Sequence, residues 1–165
     1  VMGIFTVKDV VYLLETSSIL VSEDEPIETV IERFAKDLRL RGIFVIDSSR
    51  RFMGVITRFE LLLWTRRYIG DVPEDFDWKI MDDLKAVIHS AKAVDMVRER
   101  SKEAYVHADD PVSKALSLMM LHRLNDLPVL NNAEEIIGDL KLPDILYKIM
   151  KDTQTELNQG DVGPK

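Results

Sequence analysis

The sequence predicts an α/β protein built from two copies of one β-α-β-β-α unit, and three observations carry that prediction. First, an acidic pair followed by proline and an apolar-periodic stretch occurs twice. It reads VSEDEPIETVI at 21–31 and VHADDPVSKAL at 106–116, with Pro26 and Pro111 standing 85 positions apart. Second, each copy continues into a short apolar run, IFVID at 43–47 and LPVLN at 127–131. Third, each run is followed at the same interval by a glycine that opens a strand-to-helix joint, GVITRFELL at 54–62 and GDLKLPDIL at 138–146. Self-similarity of this kind, in order and at matched spacing, is the signature of a duplicated unit.

Each element has a local reason. VKDVV at 7–11 resembles VDMV at 94–97 and leads into its copy. Pro26 suits the first helical position, where its missing N–H costs nothing, and the acids before it complement the positive helix end. Ile27, Val30, Ile31, Phe34, Ala35 and Leu38 follow the rhythm of one buried helix face, as do Val112, Ala115, Leu116, Met119 and Met120 in the second copy. Ile43–Ile46 and Phe52–Thr57, separated by the polar DSSRR, read as a strand pair. A short helix carries Leu61–Trp64. Residues from Thr65 to Lys79 read as a loop containing Gly70 and Pro73, and then Ile80, Leu84, Val87, Ile88 and Ala91 mark one face of a connecting helix. TQTELNQGDVGPK at 153–165 is polar and is expected to fray. The predicted organisation is repeat one at 7–64, a connector at 65–92, repeat two at 93–150 and a tail at 151–165.

Composition narrows the function classes. A chain of 165 residues, 46% hydrophobic and 31% charged, is long enough to bury a core without a disulfide or metal staple. It has no cysteine, which removes thiolate chemistry and disulfides. No apolar run approaches a membrane span and no signal peptide is visible, so a cytoplasmic location without membrane insertion is expected. Met2-Gly3 does not extend into a myristoylation motif, because Val7 stands where Ser or Thr is needed. A net charge of −7 argues against extended nucleic-acid binding but leaves room for a small anionic ligand. His89, His107 and His122 show no metal-ligand spacing, and no nucleophile, base and phosphate-loop combination supports catalysis. The acidic DVPEDFD at 71–77 reads as a solvated loop, with a loose cation site as the alternative.

The joint at 57–60 admits two readings. Thr57-x-x-Glu60 is a capping box that satisfies backbone N–H groups at a helix start. A helix start is also where phosphate and ribose oxygens bind.

The stretches KDVV, DEPIETVIERF, IFVID and MGVITRFELL, followed by VDMV, DDPVSKALSLMMLHRLNDLPVLN and IIGDLKLPDIL, resemble the cystathionine-β-synthase (CBS) domain family in its tandem arrangement. The resemblance covers nearly all of 7–150. It implies a compact pseudo-twofold module, often called a Bateman module, with clefts where the copies meet. It also implies a regulatory rather than catalytic role, dimerisation, and binding of AMP, ADP, ATP or another adenosyl ligand such as S-adenosylmethionine, with no obligatory cofactor.

Carried onto this sequence, the resemblance makes Thr57 the phosphate hydroxyl and Glu60 the ribose acid of copy one, with Arg58 beside them. In copy two Lys141 replaces the hydroxyl residue and Asp144 is the ribose acid. The adenine-facing stretches are Ile19–Ser22, including Val21 and Ser22, and Tyr105, Val106 and His107. Arg41, with Arg39, precedes the second strand of copy one, whereas copy two has Asn125 and Asp126 there, so the clefts are expected to differ in phosphate affinity. The expected function is an adenosine-nucleotide sensor that signals to an effector protein. The alternative is a ligand-free homodimeric interaction module for an enzyme or transporter.

Overall fold

The computed structural model describes residues 5–13, 19–70 and 78–160. Repeat one runs β2 (Leu20–Ser22), α1 (Ile27–Lys36), β3 (Gly42–Ile46), β4 (Phe52–Thr57) and α2 (Arg58–Ile69). Repeat two runs β5 (Val106–His107), α4 (Val112–His122), β6 (Asp126–Leu130), β7 (Ile136–Lys141) and α5 (Leu142–Gly160). A further short strand, β1 (Tyr12–Leu13), precedes repeat one, and α3 (Trp78–Ser90) lies between the repeats. Both repeats therefore have the β-α-β-β-α order expected of them.

The strands form two sheets, one ordered β2-β3-β4 and the other β1-β7-β6-β5. In each, the first strand of the repeat pairs parallel with the second, and the second pairs antiparallel with the third. The hairpin turns match atom for atom. Asp47 and Asn131 each accept two backbone N–H groups on a side-chain oxygen, and Arg50 and Glu134 each take a left-handed backbone with φ of 64°. An Asp or Asn at the head of a turn supplies these bonds from its own side chain.

The segments leading into the repeats are exchanged. Val7 and Lys8 donate N–H bonds to Asp110 and Ala108 of repeat two, and Ala93 and Val94 donate to Glu25 and Glu23 of repeat one. Thr6 bridges Pro111, and Lys92 bridges Pro26. β1 extends this exchange by pairing antiparallel with β7, Tyr12 opposite Asp139.

The exchange follows from how the sheets are covered. In repeat one Ile43, Val45 and Ile56 face α1, α2 and α3, while Phe44 and Val55 point the other way into a core with Leu127, Val129 and Leu140. One repeat alone would leave that second face wet. Burying a large apolar side chain is worth roughly 1.5–3 kcal/mol, so the shared face is a major reason the halves stay together.

Four expectations are corrected here. α2 continues through Ile69, because within the stretch read as loop the first breaker is Gly70, and Trp64 packs on Tyr68 one turn later at 4.8 Å. α1 stops before Asp37, which throws Leu38 out of helical phase and leaves it 87% exposed. Met120 is exposed, one position past the narrow buried face that ends at Met119. The tail stretch continues α5 as far as Gly160, and the i,i+4 pair Lys148–Asp152 at 3.3 Å supports that helix just before it. The acidic segment 71–77 and residues 161–165 lie outside the described residues.

Gly54 has a specific steric role. Its φ is 153°, and a Cβ there would run into the Val97 side chain and lie 2.8 Å from Ser101 Oγ, both on the segment leading into repeat two. Gly54→Ala is expected to lower stability by about 1–3 kcal/mol through overpacking, read as a lower urea midpoint at unchanged m-value.

Candidate functional site

The joint between β4 and α2 is built as its sequence suggests. Thr57 takes an extended backbone (φ −112°, ψ 173°) and caps α2, accepting the Phe59 N–H at 3.3 Å on its hydroxyl. Glu60 reaches back with Oε2, which accepts the Thr57 N–H at 2.7 Å and also the Thr57 hydroxyl. The cap draws the carboxylate inward, and Glu60 is only 4% exposed.

A residue from the far side of the seam completes the joint. The segment after Met96 runs along β4, where Arg98 donates its backbone N–H to Val55 O at 2.9 Å. Ser101 locks it there, accepting the Val55 N–H at 2.9 Å and donating its hydroxyl to Arg98 O at 2.7 Å. The Arg98 side chain then turns into the joint. Its Nε donates to Glu60 Oε1 and its Nη2 to Thr57 Oγ1 at 3.0 Å. Its Nη1 donates to the carbonyls of His122 at 2.6 Å and Arg123 at 3.3 Å, at the C-terminal end of α4 in repeat two. One guanidinium thus spans both repeats. Deleting one member of such a buried pair strands the other charge, at about 3–5 kcal/mol.

A cavity of about 960 Å³ opens against this joint, walled by repeat one, the segment around Val97 and the end of α4. Its charged lining is Arg41, Arg58, Arg67, Arg98 and Arg123 against Glu60, Asp95, Glu99 and Asp126, five cations to four acids. In a chain of net charge −7 that is a locally basic wall. Arg58 is held by the Asp37 carbonyl at 2.8 Å and the Leu40 carbonyl at 3.2 Å, over the Phe34 ring at 5.2 Å. Leu40 and Trp64, both buried, give the cavity apolar floor beside its polar rim.

The corresponding joint of repeat two has different chemistry. Asp126 stands opposite Lys141 where repeat one has Gly42 opposite Thr57, and Asp139 stands at the position of Val55. Asp139 is 8% exposed, and Lys141 reaches it at 3.6 Å. Burial, and next the Asp126 carboxylate, push the Asp139 carboxyl up to about 7, against the pull of Lys141. Asp126 is also raised, by its own burial first, with Lys141 and Arg41 opposing and Asp144 adding to it.

Two stretches, residues 7–66 and 93–151, match the CBS domain model. The chain belongs to the CBS-domain family. Solved structures of CBS-domain proteins share its fold. One from Thermotoga maritima is 28% identical, with a TM-score of 0.67 over 89% of this chain and 95% of its own. The CBS-pair protein CBSX2 from Arabidopsis thaliana is 16% identical, with a TM-score of 0.68 over 92% of this chain and 99% of its own. A structure of CBSX2 in complex with AMP has a TM-score of 0.65 at 16% identity, over 90% of this chain and 98% of its own. No curated protein sequence matches the chain significantly. CBS pairs are in general regulatory modules.

The residues singled out from the sequence fall into three places. Arg41, Thr57, Arg58 and Glu60 line the one cavity described above. Lys141 and Asp144 gather at the second joint with Asp126 and Asp139. The adenine-facing stretches do not border the cavity. Val21 and Val106 bury their side chains in the two cores, and the Ser22 and His107 N–H groups bond Glu25 at 3.2 Å and Asp110 at 2.8 Å. Tyr105 is half-buried, edge-on to Phe52 at 6.4 Å and to His107 at 5.6 Å. Sequence reasoning missed Arg98. The signal was the likeness of 7–11 to 94–97, which continues to place Tyr12 and Arg98 at equivalent points beside β7 and β4.

The raised Asp139 carboxyl makes a signed prediction. The folded state holds this proton more tightly than the unfolded state, so the contribution of Asp139 to stability is greatest below the ordinary value of 3.8 and declines as pH rises towards about 7. Asp139→Asn is expected to flatten that decline in melting curves recorded between pH 5 and pH 8.

Proposed function

We propose that this CBS pair is a regulatory module that binds an adenosine nucleotide, or another adenosyl ligand, in the cavity against the Thr57–Glu60 joint and signals its occupancy to a partner protein. The observation that carries the reading is that both repeats wall one cavity, with a hydroxyl, a buried carboxylate and an excess of arginines along it. The AMP complex of CBSX2 supports an adenosine ligand in this fold. Thr57 would meet phosphate, Glu60 the ribose hydroxyls, and Arg41 would add charge at the rim. At the second joint Asp139 stands 3.6 Å from Lys141, where a phosphate would approach, so the first cavity, although Asp126 lines it too, is the stronger site. A ligand shifts the relation of the repeats only through a difference in affinity between their arrangements, and a cavity walled by both repeats allows such a difference.

A ligand-free interaction module is the second reading, favoured by exposed apolar side chains on α2 and α5, among them Phe59, Leu62, Leu146, Tyr147 and Met150. Titration calorimetry with AMP, ATP and S-adenosylmethionine separates the two. At least one is expected to bind, and Thr57→Ala combined with Glu60→Gln to weaken it by roughly 10–100-fold, the value of a charge-assisted hydrogen bond. Absence of heat with all three on folded protein, together with a stable dimer by light scattering, would favour the interaction module instead.

A further inference from the structure

We infer that Arg98 sets the ligand class of this cleft: it acts as a resident counter-ion that makes the site prefer a phosphorylated adenosine over a neutral nucleoside or a cationic sulfonium. The inference rests on the proposed reading of the cleft as an adenosyl site and extends it to a residue outside the joint motif. Both oxygens of Glu60 are already engaged, Oε2 by the Thr57 N–H and hydroxyl and Oε1 by Arg98 Nε. The Thr57 hydroxyl donates to Glu60 and accepts from Phe59 N–H and Arg98 Nη2. Oε2 thus accepts two bonds and Oε1 one, so a ribose diol that reaches Glu60 must share Oε1 with the guanidinium.

The outcome of that competition depends on charge. Arg98 is largely enclosed, with 17% of its side chain exposed, against 6% for Glu60. A neutral nucleoside that shares Glu60 Oε1 weakens its pairing with a largely enclosed guanidinium and brings no anion in return, and a weakly paired buried charge is disfavoured. A sulfonium makes matters worse by adding a second cation.

A phosphate reverses the sign. Nη2 stands 3.0 Å from the Thr57 hydroxyl, so a phosphate oxygen to which that hydroxyl turns its one proton, away from Glu60, lies beside the guanidinium. Arginine's planar fork suits that exchange of carboxylate for phosphate. Meanwhile Nη1 stays anchored on the His122 and Arg123 carbonyls, which keeps the group at the joint.

The test compares AMP, adenosine and S-adenosylmethionine by titration calorimetry on the full chain as wild type, Arg98→Gln and Arg98→Lys. Wild type is expected to prefer AMP over adenosine by about 30-fold or more, the scale of one charge-assisted contact. In Arg98→Gln the ratio should contract to within about threefold, with AMP weakened and adenosine and S-adenosylmethionine strengthened as Glu60 is released. Arg98→Lys, which keeps the charge but cannot hold Glu60 and Thr57 together, should lie between. An unchanged AMP-to-adenosine ratio in the variants, with binding intact, overturns the role of Arg98 and leaves the adenosyl site standing. No binding of any ligand to wild type overturns the site itself and this inference with it. Should circular dichroism show Arg98→Gln unfolded, the ratio in Arg98→Met, which keeps the apolar stem and removes the charge, decides alone: a contraction supports the counter-ion, and the wild-type ratio overturns it.

Discussion

Neither repeat of this CBS pair closes its own core, and the rest of the structure depends on that constraint. A three-stranded sheet with helices on one face leaves the other face apolar. Here Phe44 and Val55 of repeat one complete the core of repeat two. The exchanged leaders reinforce the seam, because the backbone donors at Val7, Lys8, Ala93 and Val94 find their acceptors in the opposite repeat. The cavity lies where this apolar contact ends, so the groups along it come from both halves.

On that symmetric frame the two joints carry different chemistry. Equivalent positions hold Thr57 and Lys141, Val55 and Asp139, Gly42 and Asp126, Arg98 and Tyr12. In repeat one a buried carboxylate is matched by a guanidinium and a cap. In repeat two the half-buried Asp126 stands near the buried Asp139, with Oδ1 of both lacking a hydrogen-bond partner. Like charges in a dry place raise one another's proton affinity, and the second joint has that character. Duplication preserved the backbone while the side chains at the strand ends diverged.

The regular elements were legible because their causes are local. Pro26 and Pro111 begin helices, Asp47 and Asn131 close turns, and Thr57 with Glu60 caps α2 through bonds spanning three residues. Errors arose where an element's length was judged from polarity. Residues 65–69 and 153–160 are polar yet helical, because no breaker interrupts them and a preceding turn is already docked. Of the cleft, Arg41, Thr57, Arg58 and Glu60 were visible as a motif and its flanking cations. Arg98 was not, since 38 positions separate it from Glu60 and only the exchange of leaders brings them together.

By itself the sequence determined the duplication, the order of elements and the capped joint, all governed by contacts within a few residues of each other. Tertiary structure alone decided that the leaders cross over, that Asp126 and Asp139 share a buried pocket of charge, and that Arg98 closes on Glu60. Those are meetings of distant segments, and their energies come from desolvation and Coulomb attraction at separations that periodicity along one chain does not encode.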